Sequence, residues 1–164
     1  MKISERSIKR LGEIITGDKL LSPYRSGPQL VSFFNEFGTD HVYGQGFPSR
    51  WVFAEECIRG FNGTPALKKI IVAALDPRDF MGATVHDPKM QERKPANLED
   101  AVKYLNELLA YEGYEIVSRG KTHDVIDKTG GEITVHVKLE PDHLSHEFIM
   151  EQIEKCQNKT SGQF

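Results

Sequence analysis

The chain has 164 residues, of which 38% are hydrophobic and 27% are charged, and this balance indicates one folded domain and not an extended disordered chain. Its charge is uneven, because residues 1–95 hold 14 Lys and Arg against 11 Asp and Glu, whereas residues 96–164 hold 7 against 13. The resulting +3 and −6 are too small to indicate a dedicated nucleic-acid-binding protein.

The sequence also argues against a membrane or secreted protein. No apolar run approaches the roughly 20 residues of a membrane-spanning helix. The first segment, MKISERSIKRLGEI, is amphipathic and charged and lacks the core of a signal peptide. Cys57 and Cys156 belong to no CxxC pair, so neither a zinc cage nor a disulfide framework is indicated. We expect a cytoplasmic protein with two thiols and no membrane partner.

Residues 1–80 predict a helical core, because four segments each combine a helix-start signal with apolar residues at helical spacing. The start signals are Ser4, Ser26, Ser49 and the pair Thr64-Pro65. The first helix is predicted to end at Gly17 and the second at Gly38, since glycine readily adopts the left-handed conformation of a helix end. The side chains predicted to be largely buried in this core are those of Phe33, Phe34, Trp51 and Ile70.

Residues 81–96 lack apolar periodicity and mix proline, glycine and charged residues, which predicts a connecting loop and an internal boundary. After it, Asn97 with Asp100 resembles a capping box and starts a helix that ends near Gly113. The runs YEIVS, THDVID and ITVHVK then predict an antiparallel hairpin or a three-stranded sheet, completing a unit over residues 97–141.

Residues 142–164 predict a last helix and a polar linker. The apolar face of this helix is formed by Leu144, Phe148, Ile149 and Ile153. The whole chain is therefore predicted to be α+β: a mainly helical N-terminal core, a helix with a small antiparallel sheet, and a C-terminal helix.

The sequence contains no complete pattern for a metal site or for a nuclease site. His143 and His146 share one helical face, but no third ligand stands near them. A restriction-type nuclease needs an acidic residue on one strand and Glu-x-Lys on the next. The residues available for that role stand in the wrong order and spacing: Asp124, Asp127, Glu132 and Lys138.

Other catalytic signatures are incomplete as well. Arg119 and His123 are separated by three residues, one fewer than the shortest Arg-x4-6-His spacing of HEPN ribonucleases. The chain has no GxGxxG, no Walker loop and no GxSxG elbow. We therefore predict no catalytic residue, no bound metal and no cofactor.

Arginine and aromatic residues are interleaved in two loops of the N-terminal part, and they are the candidates for binding a ligand or partner: Tyr24, Arg25, Tyr43, Arg50 and Trp51, with Phe47 beside them. Such residues stack bases or bind phosphates in recognition loops. The same residues also fold back over a core, and their guanidinium groups cap helix ends or pair with glutamates. The sequence is compatible with both interpretations.

Several ordered motifs resemble one known family. SPYRSGPQLVSFFNEFG, YGQGFPSRW, FNGTP and LDPRDF follow one another as in the N-terminal domain of AbiJ-type abortive-infection proteins of bacteria, over about residues 1–80. NLEDAVKYLNELLAYEGYEIV is similar to the helix and hairpin that often follow. HEFIMEQIEKCQNKTSGQF is similar to the opening of the abortive-infection C-terminal domain, which is a HEPN-like helical bundle.

The resemblance implies a regulatory, non-catalytic module that senses or restrains, joined to an effector that harms the infected cell. Its expected partner is a C-terminal effector domain or a separate effector protein, with the chain as the front part of a longer protein. A homodimer formed through the last helix is the expected substitute in isolation. The alternatives are a nucleic-acid-binding domain that uses the basic and aromatic loops, and a nuclease with an unrecognised site.

Overall fold

A computed structural model of the chain describes residues 1–87 and 92–129, and it confirms the α+β class. The α-helices are α1 (Glu5–Thr16), α2 (Gly27–Asn35), α3 (Arg50–Phe61), α4 (Ala66–Ala74), α5 (Pro77–Phe80) and α6 (Leu98–Leu109), and a short 3-10 helix over Ala110–Glu112 follows α6. The strands are β1 (Thr84–Asp87), β2 (Glu92–Pro95), β3 (Tyr114–Arg119) and β4 (Thr122–Asp127). None of the helices in these ranges combines the length and the apolar character needed to cross a bilayer.

The helix-start signals of α1 and α6 act as the sequence predicts. The hydroxyl of Ser4 accepts from the Ser7 N–H at 3.4 Å, and Gly17 ends the helix in the left-handed region at φ 83°. Asn97 accepts from the Asp100 N–H at 3.2 Å and starts α6. Local sequence therefore sets both ends of α1 and the start of α6.

The core is formed by apolar residues from α1, α2, α3, α4 and α6. Phe34 and Ile70 are fully enclosed and Phe33 is 8% exposed, as predicted. The prediction for Trp51 is wrong, because this side chain is 55% exposed. The buried face of α3 consists of Phe53, Ala54, Cys57 and Ile58. At 100° per residue, Trp51 lies roughly 90° around the helix from the middle of that face.

Residues 81–96 are not a plain connecting loop, which corrects the prediction. Strands β1 and β2 pair as an antiparallel hairpin with Val85 opposite Lys94. Val85 is buried, and the Ala96 N–H donates to the Ala83 carbonyl at 2.9 Å, which extends the pairing beyond the strands. The sequences of the two strands, TVHD and ERKP, lack alternating apolar residues, so backbone pairing defines this element.

The core does not divide at residues 81–96. Side chains from α6, β3 and β4 belong to the same buried cluster as those of α1 to α4. Ile116 and Val125 face each other across the antiparallel pair β3–β4, and Leu105 packs from α6. The third predicted strand, the last helix and the dimer predicted to form through it lie outside the described residues.

Candidate functional site

The C-terminal end of α1 is closed by side chains from the segment that begins SPYRSG. The hydroxyl of Ser22 donates to the Ile14 carbonyl at 2.6 Å. The guanidinium of Arg25 donates through Nη1 to the Ile15 carbonyl at 3.0 Å. Because the last carbonyls of a helix lack partners within it and carry partial negative charge, a hydroxyl and a guanidinium satisfy them well.

Arg50 closes the same helix end from the start of α3. Its Nη1 donates to the Thr16 carbonyl at 2.9 Å and to the Arg25 carbonyl at 2.7 Å. Its Nη2 pairs with the Asp18 carboxylate, and its guanidinium lies over the Tyr24 ring, 4.0 Å from the ring centre. Arg50 therefore fixes the 22–26 loop between α1 and α3.

The loop approaches the end of α1 so closely that only glycine fits there. Gly17 has φ 83°, and a Cβ built on it would stand 2.6 Å from the Pro23 carbonyl oxygen. A side chain at this position would therefore suffer both an unfavourable backbone conformation and a backbone clash.

Arg25 is also joined to α5. Its Nη2 forms an ion pair with Asp79 at 2.7 Å, and its Cζ lies 4.9 Å from the centre of the Phe33 ring. Arg25 is 7% exposed. Tyr24, Arg25 and Asp79 line a cleft of about 420 Å³, but the cation in its floor already has a carboxylate, a carbonyl and an aromatic partner.

The aromatic residues of the second loop fold back over the core. The rings of Tyr43 and Phe47 are 4.7 Å apart between centres, and Phe47 lies equally close to Phe53. Gly27 admits the Tyr43 ring, since a Cβ on it would stand 2.3 Å from a ring carbon. Tyr43 thus packs on α2 while 51% of it remains exposed.

The structure therefore brings part of the predicted site together. Tyr24, Arg25 and Arg50 are in mutual contact, Tyr43 packs beside them on Gly27, and Trp51 follows Arg50 with a largely exposed ring. Both arginines have carboxylate and carbonyl partners. Of the two interpretations of this set, the described contacts favour structural packing for the arginines.

A thiol and an imidazole meet at the outer side of α3. The sulfur of Cys57 lies 3.6 Å from Nε2 of His41, in a cleft of about 330 Å³ that Glu56 also lines. Burial, with a smaller contribution from the Glu56 charge, raises the pKa of the Cys57 thiol to about 12. A thiol that stays protonated at neutral pH is a poor nucleophile.

The described polar residues of the β3–β4 hairpin form an ion pair and a turn cap, whereas Glu132 and Lys138, which were also considered for a nuclease site, lie outside the described residues. Arg119 pairs with Asp124, with Nε and Oδ2 separated by 3.4 Å, and both groups are largely exposed. His123 stands opposite Ser118 in the strand register. Asp127 caps the following turn by accepting from the Thr129 N–H at 2.8 Å.

A larger cleft, here called the α4–β4 cleft, lies between α4, α5 and the β3–β4 turn. It has a volume of about 810 Å³. Its apolar lining is aliphatic and consists of Val72, Ala73, Leu75, Pro77 and Met81. Met81 is 79% exposed, so an apolar side chain is open to solvent at this cleft.

The charged lining of the α4–β4 cleft is positive on balance. Its cations are Lys68, Lys69, Arg78 and Lys121, and its carboxylates are Asp76 and Asp124. Each carboxylate already has an arginine partner, because Asp76 pairs with Arg78 at 2.5 Å and Asp124 with Arg119. The hydrogen bonds from Arg78 hold the pKa of Asp76 at about 2, so that this pair stays ionised.

His123 lies where the α4–β4 cleft meets a neighbouring cleft of about 680 Å³ along α6. Its Nδ1 is shielded from solvent and has no hydrogen-bond partner among residues 1–87 and 92–129. A buried nitrogen without a partner costs about 1–3 kcal/mol. Such a group in a cleft is satisfied when a ligand supplies the missing partner.

Sequence reasoning missed the α4–β4 cleft and its lysines. In the sequence, Lys68 and Lys69 stand inside a predicted core helix, and Lys121 stands between two predicted strands. The sequence holds one weak indication of a site, because two adjacent lysines stand near the start of the otherwise apolar helix α4. Nothing in the sequence places the β3–β4 turn against α4, so the cleft could be recognised only in three dimensions.

Within residues 1–87 and 92–129, no group of three His, Cys, Asp or Glu side chains is placed to hold a metal ion. His143 and His146 lie outside this part of the chain. Comparison with known proteins gave no matching family model, no matching curated protein and no matching solved structure.

Proposed function

We propose that this chain is a non-catalytic, ligand-binding regulatory module of a bacterial anti-phage abortive-infection protein. In this proposal it acts in the cytoplasm and controls a fused or separately encoded effector. The α4–β4 cleft carries the binding half of the proposal, since it combines an aliphatic lining with a surplus of cations. The defence half comes from the resemblance of the motifs in residues 1–80 to AbiJ-type proteins.

The contacts made by the family-like motifs support a scaffold role for them. Ser22 and Arg25 of SPYRSGPQLVSFFNEFG and Arg50 of YGQGFPSRW close the end of α1. These side chains serve the fold, and this leaves recognition to surfaces elsewhere. The raised pKa of Cys57 further favours a binding module over thiol catalysis.

The contacts of the loop residues argue against the alternative function, in which these loops bind nucleic acid. Phosphate binding there would need cations that are open to the ligand. Arg25 and Arg50 instead pair with Asp79 and Asp18 and donate to backbone carbonyls. The lysines of the α4–β4 cleft are better placed to meet an anion.

Phage challenge tests the proposal. The native gene and any reading frame that continues it are expressed in a phage-sensitive bacterium, and the efficiency of plating is measured. We expect protection from the native protein, loss of protection for Lys69→Ala with Lys121→Ala, and retained protection for Lys9→Ala with Lys94→Ala. The control pair removes equal charge from exposed positions outside the cleft.

Two outcomes would contradict the proposal. One is a native protein that gives no protection against any phage of a broad panel. The other is full protection by the cleft variant, expressed at the native level and with the native melting temperature.

A further inference from the structure

The chemistry of the α4–β4 cleft restricts what it can bind. Its apolar wall comes from α4, through Val72 and Ala73, and from the start of α5 and the residue after it, through Pro77 and Met81. These side chains are aliphatic, and burying the apolar area of a ligand against them is favourable whatever the shape of the ligand. The described lining contains no Phe, Tyr or Trp ring, whereas sites that bind nucleobases stack them on such rings.

The cations stand at two sides of this wall. Lys69 comes from the start of α4, and Lys121 comes from the β3–β4 turn. Neither forms an ion pair in the described part of the chain, whereas the carboxylates Asp76 and Asp124 are each held by an arginine. Lys68 already interacts with a carboxylate, since its charge contributes to lowering the pKa of Asp127. Lys69 and Lys121 are therefore the cations available to a ligand.

His123 adds a third observation that itself points to a ligand. Its shielded Nδ1 lacks a partner in the part of the chain that the structure describes, and the residue follows Lys121 and Thr122 in the lining of the cleft. A head group placed near this turn would lie beside a cation, a hydroxyl and an imidazole ring from three consecutive residues. This arrangement suits a compact anion with several oxygen atoms.

We propose that the α4–β4 cleft binds a small amphiphilic anion, with an aliphatic body against Val72, Ala73 and Met81 and a carboxylate or phosphate head group at Lys121, His123 and Lys69. This inference rests on the proposed function, for which it names the chemical class of the ligand. A polyanion such as nucleic acid would use the same lysines but would leave the aliphatic wall without a partner.

Competition with a fluorescent probe tests the ligand class on the full chain. The probe is 8-anilinonaphthalene-1-sulfonate, and the competitors are decanoate, decyl phosphate, butyrate and decyltrimethylammonium below their micelle concentrations. We expect the two decyl anions to displace the probe. Butyrate lacks the body and decyltrimethylammonium has the opposite charge, so we expect neither to displace it.

Variants then locate the site. Lys69→Ala with Lys121→Ala should weaken decyl-anion binding about tenfold, because two screened ion pairs are lost. Ala73→Phe should block the aliphatic wall and also weaken binding. The matched pair Lys9→Ala with Lys94→Ala should bind as the native chain does, and melting temperatures establish that every variant is folded.

The two decyl anions distinguish a carboxylate from a phosphate source, and binding of either supports the inference. Equal binding by the cleft variants and the native chain would overturn it, as would tighter binding of decyltrimethylammonium or no binding of any decyl anion. Loss of phage protection in the Lys69 and Lys121 variant without decyl-anion binding would reject only this ligand class. Decyl-anion binding without phage protection would reject only the defence function.

Discussion

Arg25 and Asp79 stand 54 residues apart in sequence and form an ion pair, with Nη2 and Oδ2 separated by 2.7 Å. The arginine is buried at the end of α1, whereas the carboxylate is half-exposed on α5. The same guanidinium donates to the Ile15 carbonyl and lies over Phe33. Arg25 thus joins the ends of three helices, and its charge is balanced inside the fold.

Removing Arg25 should therefore lower stability. Arg25→Ala leaves the Ile15 carbonyl without its donor in a buried setting, and we expect a loss of about 1–3 kcal/mol in the free energy of unfolding. Arg119→Ala is the matched control, because Arg119 is exposed and its ion pair with Asp124 should contribute less than about 1 kcal/mol. Urea unfolding measures both, and equal midpoints for the two variants would contradict the structural role of Arg25.

Phe34 and Trp51 should differ sharply although both are large aromatic residues. Phe34 is fully enclosed and meets Phe33 and Phe53 edge to face at 5.2 and 5.8 Å. Phe34→Ala should cost about 3–5 kcal/mol, because it leaves a cavity in the core. Trp51→Ala should change stability by about 0.5 kcal/mol or less, since its ring is largely exposed. Thermal or denaturant unfolding that gave both variants the same loss would contradict this placement.

Structural features that depend on neighbouring residues can be predicted from this sequence, whereas features that depend on long-range contacts cannot. The ends of α1 and the start of α6 depend on residues within one helical turn, such as Ser4, Gly17 and Asn97, and these were predicted. The β1–β2 hairpin was not predicted, because its strands pair through the backbone and their sequences show little alternation of apolar and polar residues. Trp51 was placed in the core from its residue type, although its position on the helix puts it at the edge of the buried face.

The candidate site was predicted less well for the same reason. The set around Arg25 and Arg50 was found, but the partners that decide its role lie far away in sequence, at Asp79 and Thr16. The α4–β4 cleft depends on the packing of β4 against α4, which no local pattern specifies. Residue type was enough to identify candidate binding residues. Only tertiary packing distinguished the arginines that are bonded within the fold from the lysines that can meet a ligand.

Cys57 should resist alkylation in the native protein. Burial, together with the nearby Glu56 charge, raises its pKa to about 12, so only a very small fraction is thiolate at pH 7.5. We expect iodoacetamide to modify Cys57 far more slowly in buffer than in denaturant, and faster as the pH is raised. Peptide mass spectrometry separates Cys57 from Cys156, and a Cys156→Ser chain gives the same rate without interference. Rapid native labelling at neutral pH would contradict the inert thiol.

The start of α1 depends on a carboxylate from the far end of the described chain, and this dependence should appear in the pH profile of stability. Glu112 accepts from the Ser4 N–H at 3.1 Å, from the Ser4 hydroxyl at 2.5 Å and from the Ser7 hydroxyl at 2.6 Å. Burial opposes ionisation, but these hydrogen bonds outweigh it and lower the pKa of Glu112 below its ordinary value of 4.5. The negative charge also lies at the helix end that favours anions.

We expect Glu112→Gln to lose about 1 kcal/mol in the free energy of unfolding at pH 7, a value reduced by the partial exposure of the group. Because the folded pKa lies below the unfolded one, the carboxylate contributes fully above the ordinary value of 4.5 and loses its contribution as the pH falls through the folded pKa. The difference between native and variant chains should therefore be constant near neutral pH and shrink in acid. Denaturant midpoints measured at a series of pH values test this, with Glu107→Gln, an exposed neighbour on α6, as the control. A difference that keeps its full size in acid would show that Glu112 acts through its shape and not through its charge.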